Sequence, residues 1–514
     1  MSNENIKYYG VLVIGGTLFG VLVYFSMMSL DLVNSYDGIW HWSNFIAGNW
    51  EISLGRGLQR YFDKFRFGIV STSLNTVLTL LLMVMAMIWI IETLEIRNKI
   101  VACLMIMMVV VHPTVCSSLS YSYMSVNFGL AFFFSAFAGF ILWKLLVRKK
   151  ALAGVVLGGL CLAVSMACYQ AYLGVVGVIL LTIFSRLLLK NEDKKFIPKF
   201  MIAGVGLILT GGGLYWCITQ LLLIRAGITL ADYKGASNIS IMGIFENLPY
   251  SVRECYKQFS AFFTNSKMYY NLPVAEYLLC GCLVLFIVSF VYQFIRLVKQ
   301  NKIYAFAYFI SVLLIPIAAN AVLLVAVGNS VTVLMSMGMI LTMGGVLHIH
   351  IPCNSRLGKY MIGIYYFLAL LLVWFGISTV SNDQLALKEG KVATITLSQN
   401  IMNVMIDSGL YEGTKPVALV GRPAENDMFP HNYAYEKANE YARFGSSSTD
   451  AGNNRRSWMG VFSNFVGMNI NLVGENEYNA LILLEEVKEM PEFPSVGSIK
   501  EIQGAIVVKV SELY

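Results

Sequence analysis

Apolar runs of membrane-spanning length recur along most of this chain, each closed by a short polar segment. A hydrocarbon core of about 30 Å takes roughly 20 apolar residues per helix. Eleven windows fit: 10–30, 70–91, 100–116, 124–143, 151–168, 171–189, 200–223, 274–295, 303–327, 331–349 and 360–380. Two of them meet at Cys168-Tyr169-Gln170, where one broken helix is the alternative. The first run has no clear small-residue cleavage site and reads as a retained span.

Three longer segments break the pattern: 31–69, 224–273 and 381–514. Within the second, Phe245, Leu248, Val252, Tyr256, Phe259 and Phe263 recur at helical spacing against Glu246, Arg253, Glu254 and Lys257. This predicts an amphipathic helix from Ile239 to Phe263, lying on the membrane surface. The third segment predicts a helix over 383–407 and buried strands at Pro416–Val420, Ala480–Leu484 and Ala505–Val510. Between them Gly445–Ser457 reads as a flexible loop. The expected fold is a polytopic α-helical membrane protein of about eleven transmembrane helices. Residues 1–380 form the membrane domain, and residues 381–514 form an extracytoplasmic α/β domain.

Composition agrees: 57% of the 514 residues are hydrophobic and 13% charged, with a mean hydropathy of +0.66. The net charge of +7 matters by position. With the amino terminus inside, seventeen lysines and arginines fall in short inside segments and nine in the two long outside loops between spans. The positive-inside rule then places the amino terminus in the cytoplasm and the 381–514 segment outside, and a disulfide-free outer segment fits a bacterial cytoplasmic membrane. Because these cations flank helices and form no stripe, nucleic acid is not an expected partner. The nine cysteines sit mostly in or beside spans and make no disulfide framework.

Candidate chemistry gathers in 31–69, which holds Asp31, Asp37, Trp40, His41, Trp42, Trp50, Glu51, Arg56, Arg60, Asp63, Lys64 and Arg66. Asp37 with the indoles of Trp40 and Trp42 suits a sugar: a ring face covers the C–H side while the carboxylate accepts hydroxyl protons. The same carboxylate suits a general base. Asp31 is the second candidate. In Ser53-Leu54-Gly55-Arg56-Gly57 the glycines let the backbone approach a ligand, and Arg56 suits a phosphate. Arg60, Lys64 and Arg66 equally suit anionic lipid. Tyr169 and Gln170 at the fifth outer turn, with Tyr121, Tyr123 and Asn127, are candidates for a polar cleft. Arg253, Lys257 and Lys267 are further phosphate candidates. Asn320, after Pro316, is either an interhelical donor or a site residue.

Other signals are discounted. His348 and His350 lack the three or four ligands a zinc site needs. Gly211–Gly213 reads as a packing notch, and Gly421-Arg422-Pro423 as a turn.

The membrane region resembles the bacterial serotype-converting membrane glucosyltransferases, a GT-C-type family. The motifs that carry the resemblance are Tyr36-Asp37-Gly38, Ser53-Leu54-Gly55-Arg56-Gly57, Tyr169-Gln170, and Pro316 with Asn320. Members often have two adjacent acids where this chain has Asp37 followed by Gly38, so Asp37 and Asp31 both stay open as the catalytic residue. The resemblance implies a polyprenyl-phosphate-sugar donor and inverting transfer of a hexose, glucose first, to a cell-surface polysaccharide or teichoic-acid-like acceptor. Asp37 would act as base, Arg56 with Arg253 or Lys257 would hold the phosphate, and Trp40, Trp42, Tyr121, Tyr169, Gln170 and Asn320 would bind sugar. No cofactor is implied, and a divalent metal stays open. The 381–514 domain is expected to cap the cavity or bind the acceptor. A transporter or flippase, or a structural partner in wall assembly, is the competing expectation.

Overall fold

A computed structural model describes residues 3–34, 37–231, 241–265, 269–325, 331–353, 355–423, 426, 429, 433–442 and 455–512. From the amino end come α1 (Asn3–Val23) and three short helices of the first loop: α2 (Asp37–Trp40), α3 (Asn49–Ser53) and α4 (Gln59–Phe65). Next are α5 (Thr72–Thr93), α6 (Lys99–Val110), α7 (Pro113–Ser120), α8 (Ser122–Val147), α9 (Ala151–Cys168), α10 (Leu173–Leu189) and α11 (Phe196–Ala226). The second half brings α12 (Ile241–Thr264), α13 (Pro273–Gln300), α14 (Lys302–Leu313), α15 (Ile315–Ala319), α16 (Met337–Leu341) and α17 (Arg356–Asp407).

Among the described residues eight helices are long and apolar enough to cross a membrane, which makes this a polytopic membrane protein. The expected count of eleven is thinned where polar chemistry interrupts the apolar run. The 100–116 window is a pair, α6 and α7, bent by 45°. Pro113 opens α7, where it has no N–H to donate to a helix continuing from α6, and His112 Nδ1 caps the new start by accepting from the Thr114 amide at 3.2 Å. The apolar part of the first helix, Lys7–Val23, and the helix in the 331–349 window, Met337–His350, are shorter than a full crossing, and the latter contains a π-helical stretch at Thr342–Val346. Cys168 ends α9 and a 3-10 turn at Gln170–Tyr172 starts the next element, so the two windows there are separate helices.

α12 matches the amphipathic helix expected from the second loop and packs on α13 and α15. Asn320 ties it down: its side-chain amide donates to the Cys255 carbonyl at 3.2 Å and to the Pro316 carbonyl at 3.1 Å.

The boundary drawn at 380/381 falls inside one continuous helix of 52 residues, α17. Its first part, through Leu387, packs in the core of the bundle; from Ala393 onward its buried face joins a second core in the carboxyl-terminal unit. That unit contains β1 (Val417–Val420), α18 (Arg455–Gly460), α19 (Glu475–Leu481), β2 (Ile499–Ile502) and β3 (Ala505–Lys509). β3 is central, parallel to β1 and antiparallel to β2. The apolar runs at 416–420 and 505–510 form strands, but Ala480–Leu484 does not. It finishes α19, whose start carries helix signals: Gly474 as the preceding cap residue, then Glu475 and Glu477 in the first turn. Of the expected loop Gly445–Ser457, residues 445–454 lie outside the described residues, and Arg455–Ser457 are helical.

Candidate active site

The first loop is held from beneath by a buried ion pair. Arg66 donates to Asp63 at 2.6 Å, and also to Asn75 Oδ1 and the Tyr123 carbonyl. Asp63 accepts further from the Ala47 amide at 3.0 Å and from Asn127 at 3.3 Å. Burial pushes the Asp63 carboxyl up, and Arg66 with the Ala47 amide opposes that shift. A charge buried with this many partners is strongly placed, since removing one partner leaves the other costly. The network therefore fixes both the loop and the backbone at Tyr123.

Above it Asp37 stands at the start of α2, and the Tyr123 hydroxyl donates to its carboxylate. Burial holds the Asp37 carboxyl above the usual range; the nearby Arg456 guanidinium and the Tyr123 bond pull it down, and Glu51 adds to the rise. Tyr123 is also within electrostatic reach of Glu51, Tyr121 and Arg56. The His41 ring packs against Phe45 and Tyr123, and burial beside Arg456 lowers its pKa to about 4, so it is neutral at neutral pH.

Arg56 lies over the Tyr169 ring, 4.8 Å from its centroid. The Gln170 amide donates to the Leu54 carbonyl at 2.6 Å and to the Tyr215 hydroxyl at 3.0 Å. The turn between them needs glycine: Gly55 has φ +75°, and a Cβ there would stand 2.3 Å from the Tyr215 hydroxyl. The local sequence thus locks Arg56 against the Tyr169-Gln170 corner, joining two motifs more than a hundred residues apart.

The carboxyl-terminal unit clamps this loop. Gly460 abuts Ile39, and Asn464 donates to the Ile39 carbonyl at 3.0 Å. Lys391 on α17 donates to the Leu30 carbonyl at 3.2 Å and lies over the rings of Trp42 and Phe465. A cavity of about 690 Å³ opens at this junction, lined by Trp40, Arg455, Arg456, Trp458, Glu475, Tyr478 and Asn479 together with β1.

The candidate residues thus divide. Asp37, Arg56 and Tyr121 lie within electrostatic reach of Tyr123; Tyr169 and Gln170 hold the Arg56 turn; Trp40 lines the cavity at the clamp; Trp42 is occupied by Phe465 and Lys391. Asp31, with φ 47°, offers its backbone carbonyl to Lys391 at the clamp. Arg253 and Lys257 stand exposed on α12, with Lys257 paired to Glu254, apart from the contacts that join Asp37, Tyr123 and Arg56. Asn320 serves the α12–α15 junction. Tyr36 and Lys267 lie outside the described residues. Arg456 was missed because it is some four hundred residues from Asp37 in a stretch that reads as loop; Trp458 and Val461 in its apolar sequel were the available signal. Among the described residues no cluster of three or more metal-ligating side chains occurs.

A family model described as "Glucosyl transferase GtrII" matches residues 32–343, which is more than half of the chain. The chain belongs to the GtrII glucosyl transferase family. The match begins at the loop that carries Asp37 and Arg56, runs through Tyr169-Gln170 and Asn320, and stops before α17. It favours a transferase over a transporter. The GtrII match does not reach the carboxyl-terminal unit, so Arg456 and the cavity lining other than Trp40 lie outside it. No curated protein and no solved structure matches the chain.

Proposed function

We propose that the protein is an inverting membrane glycosyltransferase. It moves a hexose, glucose first, from a polyprenyl-phosphate carrier to a cell-surface glycopolymer on the outer side of the bacterial cytoplasmic membrane. The observation that carries this reading is that Asp37, which Tyr123 hydrogen-bonds, and Arg56 both lie within electrostatic reach of Tyr123, within a chain of the glucosyl transferase family. In a single displacement the acceptor hydroxyl oxygen attacks the anomeric carbon. Its proton passes to the Asp37 carboxylate as the bond from the anomeric carbon to the phosphate oxygen breaks, and the phosphate leaves with the electron pair. A base whose pKa is raised by burial is better matched to this transfer near neutral pH. Tyr123 orients the carboxylate, and Arg56 places positive charge on the leaving-group side.

The acceptor reaches Asp37 through the cavity between α2 and the carboxyl-terminal unit. Its indole and phenol faces suit sugar rings, and Asn479, Glu475 and the arginines suit hydroxyl and anionic groups. The test is sugar transfer by purified, reconstituted protein from polyprenyl-phosphate-glucose to a cell-wall extract. Transfer by wild type supports the reading. Absence of transfer across several lipid-linked sugars overturns it.

A further inference from the structure

A second, smaller cavity of about 240 Å³ lies on the other side of the Gly55–Gly57 turn, lined by Ile52, Gly57, Arg60, Tyr61, Lys64, Leu222, Arg225 and Ala226. Three cations from two separate elements face it: Arg60 and Lys64 from α4, Arg225 from the last turn of α11. None of the three has an ion-pair partner among the described residues, and Arg60 Nε is buried without a hydrogen-bond acceptor. Lys64 and Arg225 are exposed and keep their water, so the demand for an acceptor falls on Arg60, whose buried donor is costly without one. Three cations facing one groove suit an anion.

Its surroundings say which kind. Tyr61, Phe65 and Phe67 beside the cations are exposed, and so are Leu209, Trp216, Leu221 and Ile224 along α11. Large apolar side chains left open along a spanning helix face hydrocarbon, and aromatic side chains beside cations mark the membrane–water boundary. The anion is therefore one that arrives with an apolar chain. Gly57 narrows the wall towards Leu222, whose methyl would stand 2.4 Å from a Cβ at that position, and Arg56 follows immediately on the side of Tyr169 and Asp37.

We propose that Arg60, Lys64 and Arg225 form the docking site for the phosphate of the polyprenyl carrier, with the chain lying along the exposed face of α11. This rests on the function proposed above and assigns the carrier to residues other than Arg253 and Lys257. A bulk phospholipid headgroup would share the chemistry. The position one turn from Arg56 favours the carrier, since its sugar must extend from the phosphate towards Asp37. The charge count favours it also. The donor is a phosphodiester with one negative charge; the departing phosphate monoester carries about −1.5 to −2 at pH 7. Three cations bind the second state more tightly than the first, so their pull grows as the bond breaks.

The experiment measures binding of polyprenyl phosphate to the full chain in phosphatidylcholine vesicles, with polyprenol and phosphatidylglycerol as competitors. Wild type is compared with Arg60→Gln/Lys64→Gln/Arg225→Gln. The expected result is a loss of affinity of about tenfold or more in the triple variant, and weak competition by polyprenol and phosphatidylglycerol. Equal affinity in the triple variant overturns the site. Competition by phosphatidylglycerol as strong as by polyprenyl phosphate makes it a headgroup site and overturns the carrier assignment. If the triple variant does not fold, Arg225→Gln alone, at an exposed helix end, is expected to lose about threefold, and unchanged affinity there overturns the proposal. Wild type that binds polyprenyl phosphate but transfers no sugar sinks the function and leaves the site standing. Wild type that transfers sugar beside a triple variant with unchanged affinity and donor KM sinks the site alone.

Discussion

At one end of the helical bundle Lys144 and Arg97 converge on the buried carboxylate of Glu92, at 2.6 and 3.5 Å, and Arg186 and Lys190 converge on Glu95. At the other end Arg60, Lys64 and Arg225 converge on a groove with no carboxylate partner among the described residues. Both ends are basic, so composition does not separate them. At the first end each of these two carboxylates holds two cations, so those four are engaged within the protein. The second has an engaged pair too, Asp63 with Arg66, but it lies beneath the loop and leaves the cations above it unmatched. The contrast separates cations that hold helices together from cations that wait for a ligand.

The largest effect is expected at Asp37. Asp37→Asn keeps the shape and removes the base, and general-base loss lowers transfer by roughly 10²–10⁴-fold, with expression and chromatographic behaviour retained. Transfer at the wild-type rate would move the base to Asp31 or Glu51. Gly55→Ala should act on the fold: a left-handed backbone costs about 1–2 kcal/mol for a residue with a Cβ, before the clash with Tyr215 is counted. A lowered Tm is the readout, and an unchanged one would show that Tyr215 yields freely. At the first end, Lys144→Met strips Glu92 of its closest cation. It should cost about 1–3 kcal/mol of stability while leaving affinity for polyprenyl phosphate unchanged. A loss of carrier affinity there would erase the distinction between the two ends.

The smallest effect is the most diagnostic of the clamp. Asp37 must be ionised to accept a proton, so transfer falls as pH drops through its raised pKa. Arg456 lowers that pKa, so Arg456→Gln should raise it and move the acid limb of the pH–rate profile to higher pH. A limb that stays in place would detach the carboxyl-terminal unit from the chemistry.

Sequence reading located much of this. Apolar run length placed eight of the eleven expected spans, because a run long enough to cross hydrocarbon has few other uses. The acid, glycine and amide motifs singled out Asp37, Arg56 and Gln170 as candidates, because those residue types are expensive near a membrane without a purpose. Arg225 was passed over because it follows an apolar window by two residues and looks like a helix-end anchor; only the fold sets it opposite Arg60 and Lys64. Arg456 required the tertiary clamp through Gly460 and Ile39, for which no local pattern exists. β2, Ile499–Ile502, is four residues with two charges and gives almost no apolar signal. The Ala480–Leu484 run misled because a short apolar stretch at a helix end and a buried strand look alike without length to separate them.

The uninterrupted α17 has a mechanical corollary. At 1.5 Å per residue its 52 residues extend about 78 Å, well over twice a hydrocarbon thickness of about 30 Å. A helix without a hinge cannot absorb a change in bilayer thickness by folding at the surface, so it tilts or slides instead. Whatever it carries at its far end would move with it, and the ties to the first loop, Lys391 to Leu30, Asn464 to Ile39 and Phe465 against Trp42, would take up the difference. In a thicker or thinner bilayer the far unit would meet the loop at a different height, and turnover would come to depend on the lipids chosen for reconstitution.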